Sequence, residues 1–294
     1  MTGTHEQWDI VSGLGVTALA VALARAMETR RPGGLIQDPF AELFVAASEL
    51  PEPYAHWPRA DAAAGDLDPP WDSMPLYMGV RARFFDEFLL DAVAGGVRQV
   101  VLIAAGLDSR AYRLDWPAGT DLFEVDQPLV IKFKDEVLGE AGARSRCARH
   151  AVPVDLRDDW PAALSGEGFD PAQPTVWVAE GLLSFLSPQA ERDLLGRIGD
   201  SSAPGSRLAL EAAPGHDRHG VLKSRFAAAE DHIGVSVAAL WQTDPRPDPA
   251  DLLRAGGWTV GAERVAEAAG RYGRVVPGVM SDAANHTRLI TATR

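Results

Sequence analysis

The chain has almost no cysteine. Cys147 stands alone in 294 residues, which excludes an internal disulfide and a thiolate metal site. It also lacks a basic surplus: 28 Lys and Arg face 41 Asp and Glu, for a formal net charge of -13. Affinity for nucleic acid is built on counterion release by clustered Lys and Arg, so no nucleic-acid partner is expected. Long apolar runs are missing as well, because nowhere do about 18 consecutive apolar residues occur. The Ala-rich stretch VTALAVALARAME is broken by Arg25 and Glu28, so no membrane association is expected. The opening MTGTHEQWDI has neither the basic n-region nor the apolar h-region of a secretory signal, which makes the expected location cytoplasmic. His5, His56, His150 and His286 show no metal-ligand spacing, and no metal is expected. The sequence contains no internal repeat.

What remains is a chain with 46% hydrophobic content, long enough for one large α/β core and short for two. Leu14, Ala18, Val21, Ala22 and Arg25 fall at helical spacing, and Pro32, Gly33 and Gly34 end that helix. Asp38-Pro39 forms a cap and first-turn pair ahead of the apolar AELFVAAS, and a Pro-, Asp- and Ala-rich loop follows. A second amphipathic helix is predicted over residues 76–93, with Phe84, Phe85, Phe88 and Leu89 as its apolar face. From Gln99 the pattern changes to short aliphatic runs separated by helical lengths: QVVLIAA, TDLFEVD, HAVPVD, TVWVAE and RLALEA. Continuous apolar runs suit parallel strands covered on both faces, while the more alternating WTVGAERV and TRLITATR suit an edge pair finishing the sheet. The expectation is an α/β fold in one compact unit: a helical N-terminal cap over residues 1–96, then a Rossmann-like core over 97–294. That core is expected to be a mostly parallel sheet of seven strands, the last antiparallel, with a lid insertion at about 214–251.

The chemistry gathers at the strand ends. Ala104, Ala105 and Gly106 close the first strand, and Asp126 closes the second about twenty residues later. That is the geography of a nucleotide-type site, in which a small-residue turn admits a ligand and a carboxylate holds ribose hydroxyls. A pyrophosphate calls for G-x-G-x-x-G, of which only Gly106 is present. S-adenosylmethionine carries no phosphate, and one glycine with two alanines suffices for its methionine portion. The alternative is that Gly106 is only a tight strand-to-helix turn. Asp155-Leu156 at the third strand end could meet an adenine amino group and ring nitrogen, or Asp155 could cap the helix RDDWPAAL. Glu180 closes the fourth strand. Three successive acidic tips suit ribose hydroxyls, an amino group and a sulfonium better than phosphates.

With WDIVSGLGVTALAVALARAMETRRP, DPFAELF, RARFFDEFL, QVVLIAAGLDSRAYRLDWPAGTDLFEVDQP, VPVDLRDDWPAAL and AEGLLSFLSPQAERDLL, the chain resembles the leucine carboxyl methyltransferase family. It is most similar to the bacterial, actinomycete-type branch of S-adenosylmethionine-dependent O-methyltransferases, from about Trp8 to the last strand. The resemblance implies S-adenosyl-L-methionine as cofactor, S-adenosyl-L-homocysteine as product, and methyl transfer in secondary metabolism. It implies that Asp126 holds the ribose, Asp155 with Leu156 frames the adenine, and Gly106 lies against the methionine portion beside Ala104, where relatives often carry glycine. Glu180 would face the methionine amino group, and Arg81 its carboxylate, with Arg25 assisting. Phe185 stands where many relatives have Tyr.

Transfer to a carboxylate needs no general base, since such a group has an unperturbed pKa near 4 and is ionised at neutral pH. No catalytic acid or base is therefore assigned, and the expected acceptor is a small-molecule carboxylate. A phenol or alcohol acceptor would gain from a base, for which His216, His219 and His232 of the insertion are available, although solvated histidines are the simpler reading. Trp57 and Trp71 either line an acceptor pocket or anchor the loop. Arg110 and Arg113 either bind an acceptor carboxylate or pair with Asp108, Asp115 or Glu124. A relative that binds the cofactor without transferring, and a nicotinamide oxidoreductase, are the competing classes. The oligomeric state leaves no signature in the sequence.

Overall fold

The structure, a computed structural model, describes residues 15–48, 50, 56–212, 240–242 and 244–294. Trp8, Leu14, His216, His219, His232 and most of the predicted insertion lie outside the described residues.

Seven strands form one sheet: β1 (Gln99–Ile103), β2 (Asp121–Asp126), β3 (Ala148–Pro153), β4 (Thr175–Ala179), β5 (Arg207–Ala212), β6 (Thr259–Arg264) and β7 (Arg288–Thr293). Their order is β3-β2-β1-β4-β5-β7-β6. The first five are mutually parallel, and β7 is antiparallel to both β5 and β6. Each predicted run is a strand, and the two alternating runs finish the sheet with β6 at its edge. The strand order reverses between β1 and β4, and ligands of open α/β sheets bind at the carboxyl ends beside such a switch point.

Side chains of the central strands sort by parity into two cores. Val100, Leu102, Leu122, Val176, Val178 and Ala209 face α1 (Gly15–Arg30), α2 (Ala41–Ala47), α3 (Met74–Ala94), α4 (Arg110–Arg113) and α5 (Pro128–Glu140). Val101, Ile103, Phe123, Val125, Trp177 and Leu208 face α6 (Trp160–Gly166), α7 (Pro188–Asp200) and α8 (Pro249–Ala255). On the first face α9 (Val265–Arg271) and α10 (Met280–His286) complete the layer. With both faces covered, the strands read as the continuous apolar runs seen in the sequence.

Helix α3 is more deeply enclosed than a single apolar stripe predicts. Phe84, Phe85, Phe88 and Leu89 are buried as expected, but so are Tyr77, Met78, Val80, Arg81 and Ala82. It lies between α1, the β4 and β5 strands and α9, so nearly every face meets protein. The residues AELFVAA fold as α2, with Asp38 accepting from the backbone N–H of Phe40 and Ala41 at 3.2 Å each. Residues 249–251, at the end of the predicted insertion, are the first turn of α8. There the side chain of Asp248 caps the backbone N–H of Ala250 at 2.8 Å, and Ala250 packs on the sheet. Trp57 and Trp71 pack on each other, ring centroids 5.4 Å apart, and both are buried in the helix-side core.

Candidate active site

A cavity of about 580 Å³ opens at the carboxyl ends of β1 to β5. Its size falls in the range of small-molecule pockets, roughly 300–1,000 Å³. All seven residues expected at a cofactor, Arg81, Ala104, Gly106, Asp126, Asp155, Leu156 and Glu180, line it together, as does Arg25.

The turn after β1 requires left-handed backbone, with φ of 53° at Ala104 and 49° at Gly106. Glycine adopts this region freely, whereas alanine strains to do so. A Cβ on Gly106 would stand 3.7 Å from Cβ of Ala18, so α1 roofs this turn directly. Asp126, at the end of β2, reaches over to this turn. Its Oδ2 accepts the N–H of Gly106 at 2.5 Å and its Oδ1 that of Gln127 at 2.6 Å. Burial nevertheless raises its carboxyl above the ordinary value, outweighing the two backbone donors.

Asp155 lies two residues beyond β3. It accepts from Arg157 through the backbone N–H at 2.8 Å, Nε at 2.9 Å and NH2 at 2.6 Å. The N-cap of α6 is Asp159, which accepts from Ala162, so Asp155 is not needed for that role.

Glu180 has a guanidinium on each oxygen, Arg81 Nε at 2.8 Å and Arg110 NH1 at 2.9 Å. Burial raises its carboxyl, but Arg110 and Arg81 outweigh burial and hold it below the usual range. Asp108, beside Arg110, is likewise raised by burial and then drawn down to about 2 by Arg110, Lys134, Arg113 and Arg25. Arg110 and Arg113 both pair with Asp86, while Asp115 pairs with Arg146 and Glu124 with Lys134 and Arg149. These two arginines therefore belong to the ion-pair framework of the site. Arg25 is engaged too, through Asp38 at 2.9 Å and the Leu107 carbonyl at 2.7 Å.

Two polar residues escaped the sequence reading. Glu211, the acid of RLALEA, stands near the end of β5 and accepts from Arg81 NH1 and from the Tyr77 hydroxyl, both at 3.0 Å. Its signal was present as a fourth acidic strand end. Tyr77 carried none, since only the packing of α3 aims it there. The same cavity wall also carries apolar side chains that come from outside the strand ends, Met74, Met78, Trp241, Met280 and Ala283. These residues come from separate segments with no shared sequence pattern.

The donor set suits a ligand without phosphates. The one glycine amide of the turn is already used by Asp126, and the helix that follows, α4, has four residues and little dipole to offer an anion. Among the described residues no His, Cys, Asp or Glu cluster could hold a metal ion, and no helix is long and apolar enough to cross a membrane.

The comparisons agree with this geometry. The sequence model described as leucine carboxyl methyltransferase matches residues 18–199. A protein of Saccharopolyspora erythraea, provisionally named an S-adenosyl-L-methionine-dependent methyltransferase, is 45% identical over 290 residues, covering 99% of each chain. One of the same name from Rhodococcus jostii is 45% identical over 296 residues, covering 98% of each. Among solved structures, a provisionally named methyltransferase of Thermobifida fusca shares the fold, with TM-score 0.53 at 14% identity over 93% of this chain and 94% of the other. The chain belongs to the leucine carboxyl methyltransferase family and is an S-adenosyl-L-methionine-dependent methyltransferase.

Proposed function

We propose that the cofactor lies along the strand ends and that its methyl passes to an oxygen of a small acceptor, first of all a carboxylate, forming a methyl ester. The single observation that supports this is one cavity whose wall joins the acidic strand ends of β2 to β5 to apolar side chains of α3 and α10. Asp126 holds the ribose hydroxyls, Asp155 and Leu156 frame the adenine, Gly106 and Ala104 lie against the methionine portion, Glu180 faces its amino group and Arg81 its carboxylate. When bound, S-adenosylmethionine supplies a methyl on a sulfonium open to in-line attack. The chain's own task is orientation and the exclusion of water, which can lower a barrier by several kcal/mol. Residues 1–96 cap the core formed by residues 97–294, and α1 and α3 roof the cavity. A carboxylate acceptor of secondary metabolism, met in the cytoplasm, completes the reading.

A second reading, transfer to a phenol or alcohol, is favoured by one feature. Glu211 places a carboxylate on the wall of the same cavity as Met74 and Met78, where an acceptor hydroxyl could give up its proton. Incubation with methyl-labelled cofactor and pools of carboxylic acids, phenols and alcohols separates the two. Label released as methanol by mild alkali marks an ester and label that resists alkali an ether. Absence of transfer to every pool, with cofactor binding intact, would contradict both.

A further inference from the structure

Nine charged groups in and behind the cavity wall form one linked set, separate from Asp126 and from the Asp155–Arg157 pair. Arg25 pairs with Asp38 at 2.9 Å, Asp38 with Arg113 at 4.0 Å, and Arg113 with Asp86 at 2.5 Å. Asp86 pairs with Arg110 at 2.7 Å, Arg110 with Asp108 and, at 2.9 Å, with Glu180. Glu180 pairs with Arg81 at 2.8 Å and Arg81 with Glu211 at 3.0 Å. Among the described residues, four guanidiniums thus meet five carboxylates, leaving one negative charge in excess.

That excess is not evenly shared. Glu180, Asp86 and Asp38 each touch two guanidiniums, and Asp108 sits within the field of several cations. Glu211 shares its one guanidinium with Glu180, and its other oxygen takes the hydroxyl of Tyr77. That hydroxyl is neutral, since burial and Glu211 itself raise it well above its ordinary value. Within this set the least compensated charge is on Glu211, whose side chain is 10% exposed. Its position is equally specific. The acidic strand ends run Asp155, Asp126, Glu180, Glu211 across the neighbours β3, β2, β1, β4 and β5, with Gly106 at β1. Strands lie about 4.8 Å apart, so Glu211 stands about 10 Å along the sheet from the β1 turn, at the last of the acidic strand ends.

We propose that Glu211 is the counter-charge that lets this cavity prefer the cationic methyl donor to the spent product. The inference rests on the cofactor reading given above. On transfer, the carbon–sulfur bond breaks with its electron pair remaining on sulfur, and a carbon–oxygen bond forms to the acceptor. The sulfur loses its positive charge, and S-adenosylhomocysteine is one unit less positive than S-adenosylmethionine. Before transfer the excess negative charge is matched; afterwards it is buried and unmatched, which favours release. Over about 10 Å in a partly dehydrated site, two unit charges still interact more strongly than in water, enough for about tenfold discrimination.

The test uses two unreactive ligands that share the adenosine and amino-acid portions. Sinefungin carries a protonated amine in place of the sulfonium, and S-adenosylhomocysteine carries a neutral sulfur. By calorimetry the intact chain should bind sinefungin at least about tenfold more tightly. Glu211→Gln should cut that ratio about tenfold while changing S-adenosylhomocysteine affinity less than about threefold, and Glu211→Asp should keep most of the preference. A ratio of one or below in the intact chain overturns the proposal, and needs no variant to fold. An unchanged ratio in Glu211→Gln, including equal weakening of both ligands, overturns it too, because that is what a merely structural carboxylate would give. No binding of either ligand by the intact chain would remove the cofactor reading itself, and the proposal with it.

Discussion

The two ends of the cavity are built on different plans. The end at β1 to β4 is made of strand termini, so each polar group is fixed by a sheet whose register is set over several residues. The rest of the wall draws on helix faces and loop residues, among them Met74 and Met78 from α3, Met280 and Ala283 from α10, and Trp241. Methionine is flexible and fills irregular space, so this wall can adapt to an acceptor in a way that strand ends cannot. A rigid end suits a cofactor common to a whole family, and an adaptable end suits an acceptor that differs among its members.

Arg81 joins the two ends, and its removal should have the largest effect. Arg81→Ala leaves Glu180 and Glu211, 15% and 10% exposed, without their shared cation. Such a loss costs about 3–5 kcal/mol of folding stability, measurable by urea unfolding. A cost near zero would mean that the two ends are not electrically joined.

The acid limb of stability should report the strand-end framework next. Asp108 is held at about 2 against an ordinary 3.8, so its contribution is present above about pH 4 and is lost as the pH falls toward 2. A shift of that size corresponds to about 2 kcal/mol. Asp126 runs the other way. Its raised carboxyl contributes no such stability at neutral pH, and its protonation on acidification removes an anionic acceptor from the proposed cofactor site. Affinity for S-adenosylhomocysteine should therefore decline at a higher pH than the fold does, as calorimetry and circular dichroism across the same buffers would show.

Truncating the adaptable end should separate the two functions. Met78→Ala should cost on the order of 2 kcal/mol of stability, the low end for a buried methionine facing a cavity. It should alter which acceptors are methylated while leaving S-adenosylhomocysteine affinity within about twofold. The smallest effect is expected at the turn. Ala104 at φ 53° is strained, and Ala104→Gly should raise stability by about 0.5–1 kcal/mol in the same urea assay.

This asymmetry also explains what the sequence revealed. Strand identity was legible because burial on both faces writes continuous apolar runs, and Asp126, Asp155 and Glu180 were legible because each follows such a run directly. Of the two readings of Asp155, the helix-cap one is taken by Asp159, which caps α6. Glu211 is less legible because it is the penultimate residue of β5, followed by the apolar Ala212, and so does not stand out as the residue that ends its run. The enclosure of α3 and the aim of Tyr77 and Arg81 were not legible from spacing, since they depend on how α3 lies against β4, β5 and α1. For Arg81 the family resemblance supplied what periodicity could not. The apolar end had no local pattern, because its residues meet only in the folded chain.

The central claim, that the acidic strand ends are the cofactor site, is tested most directly by calorimetric titration of S-adenosylhomocysteine into the intact chain and into Asp126→Ala. The account predicts saturable binding to the intact chain and a loss of about 1.5–3 kcal/mol, roughly ten- to a hundredfold, in the variant, as expected for hydrogen bonds to a charged group. Equal affinity in the two proteins, or no binding to the intact chain, would contradict it.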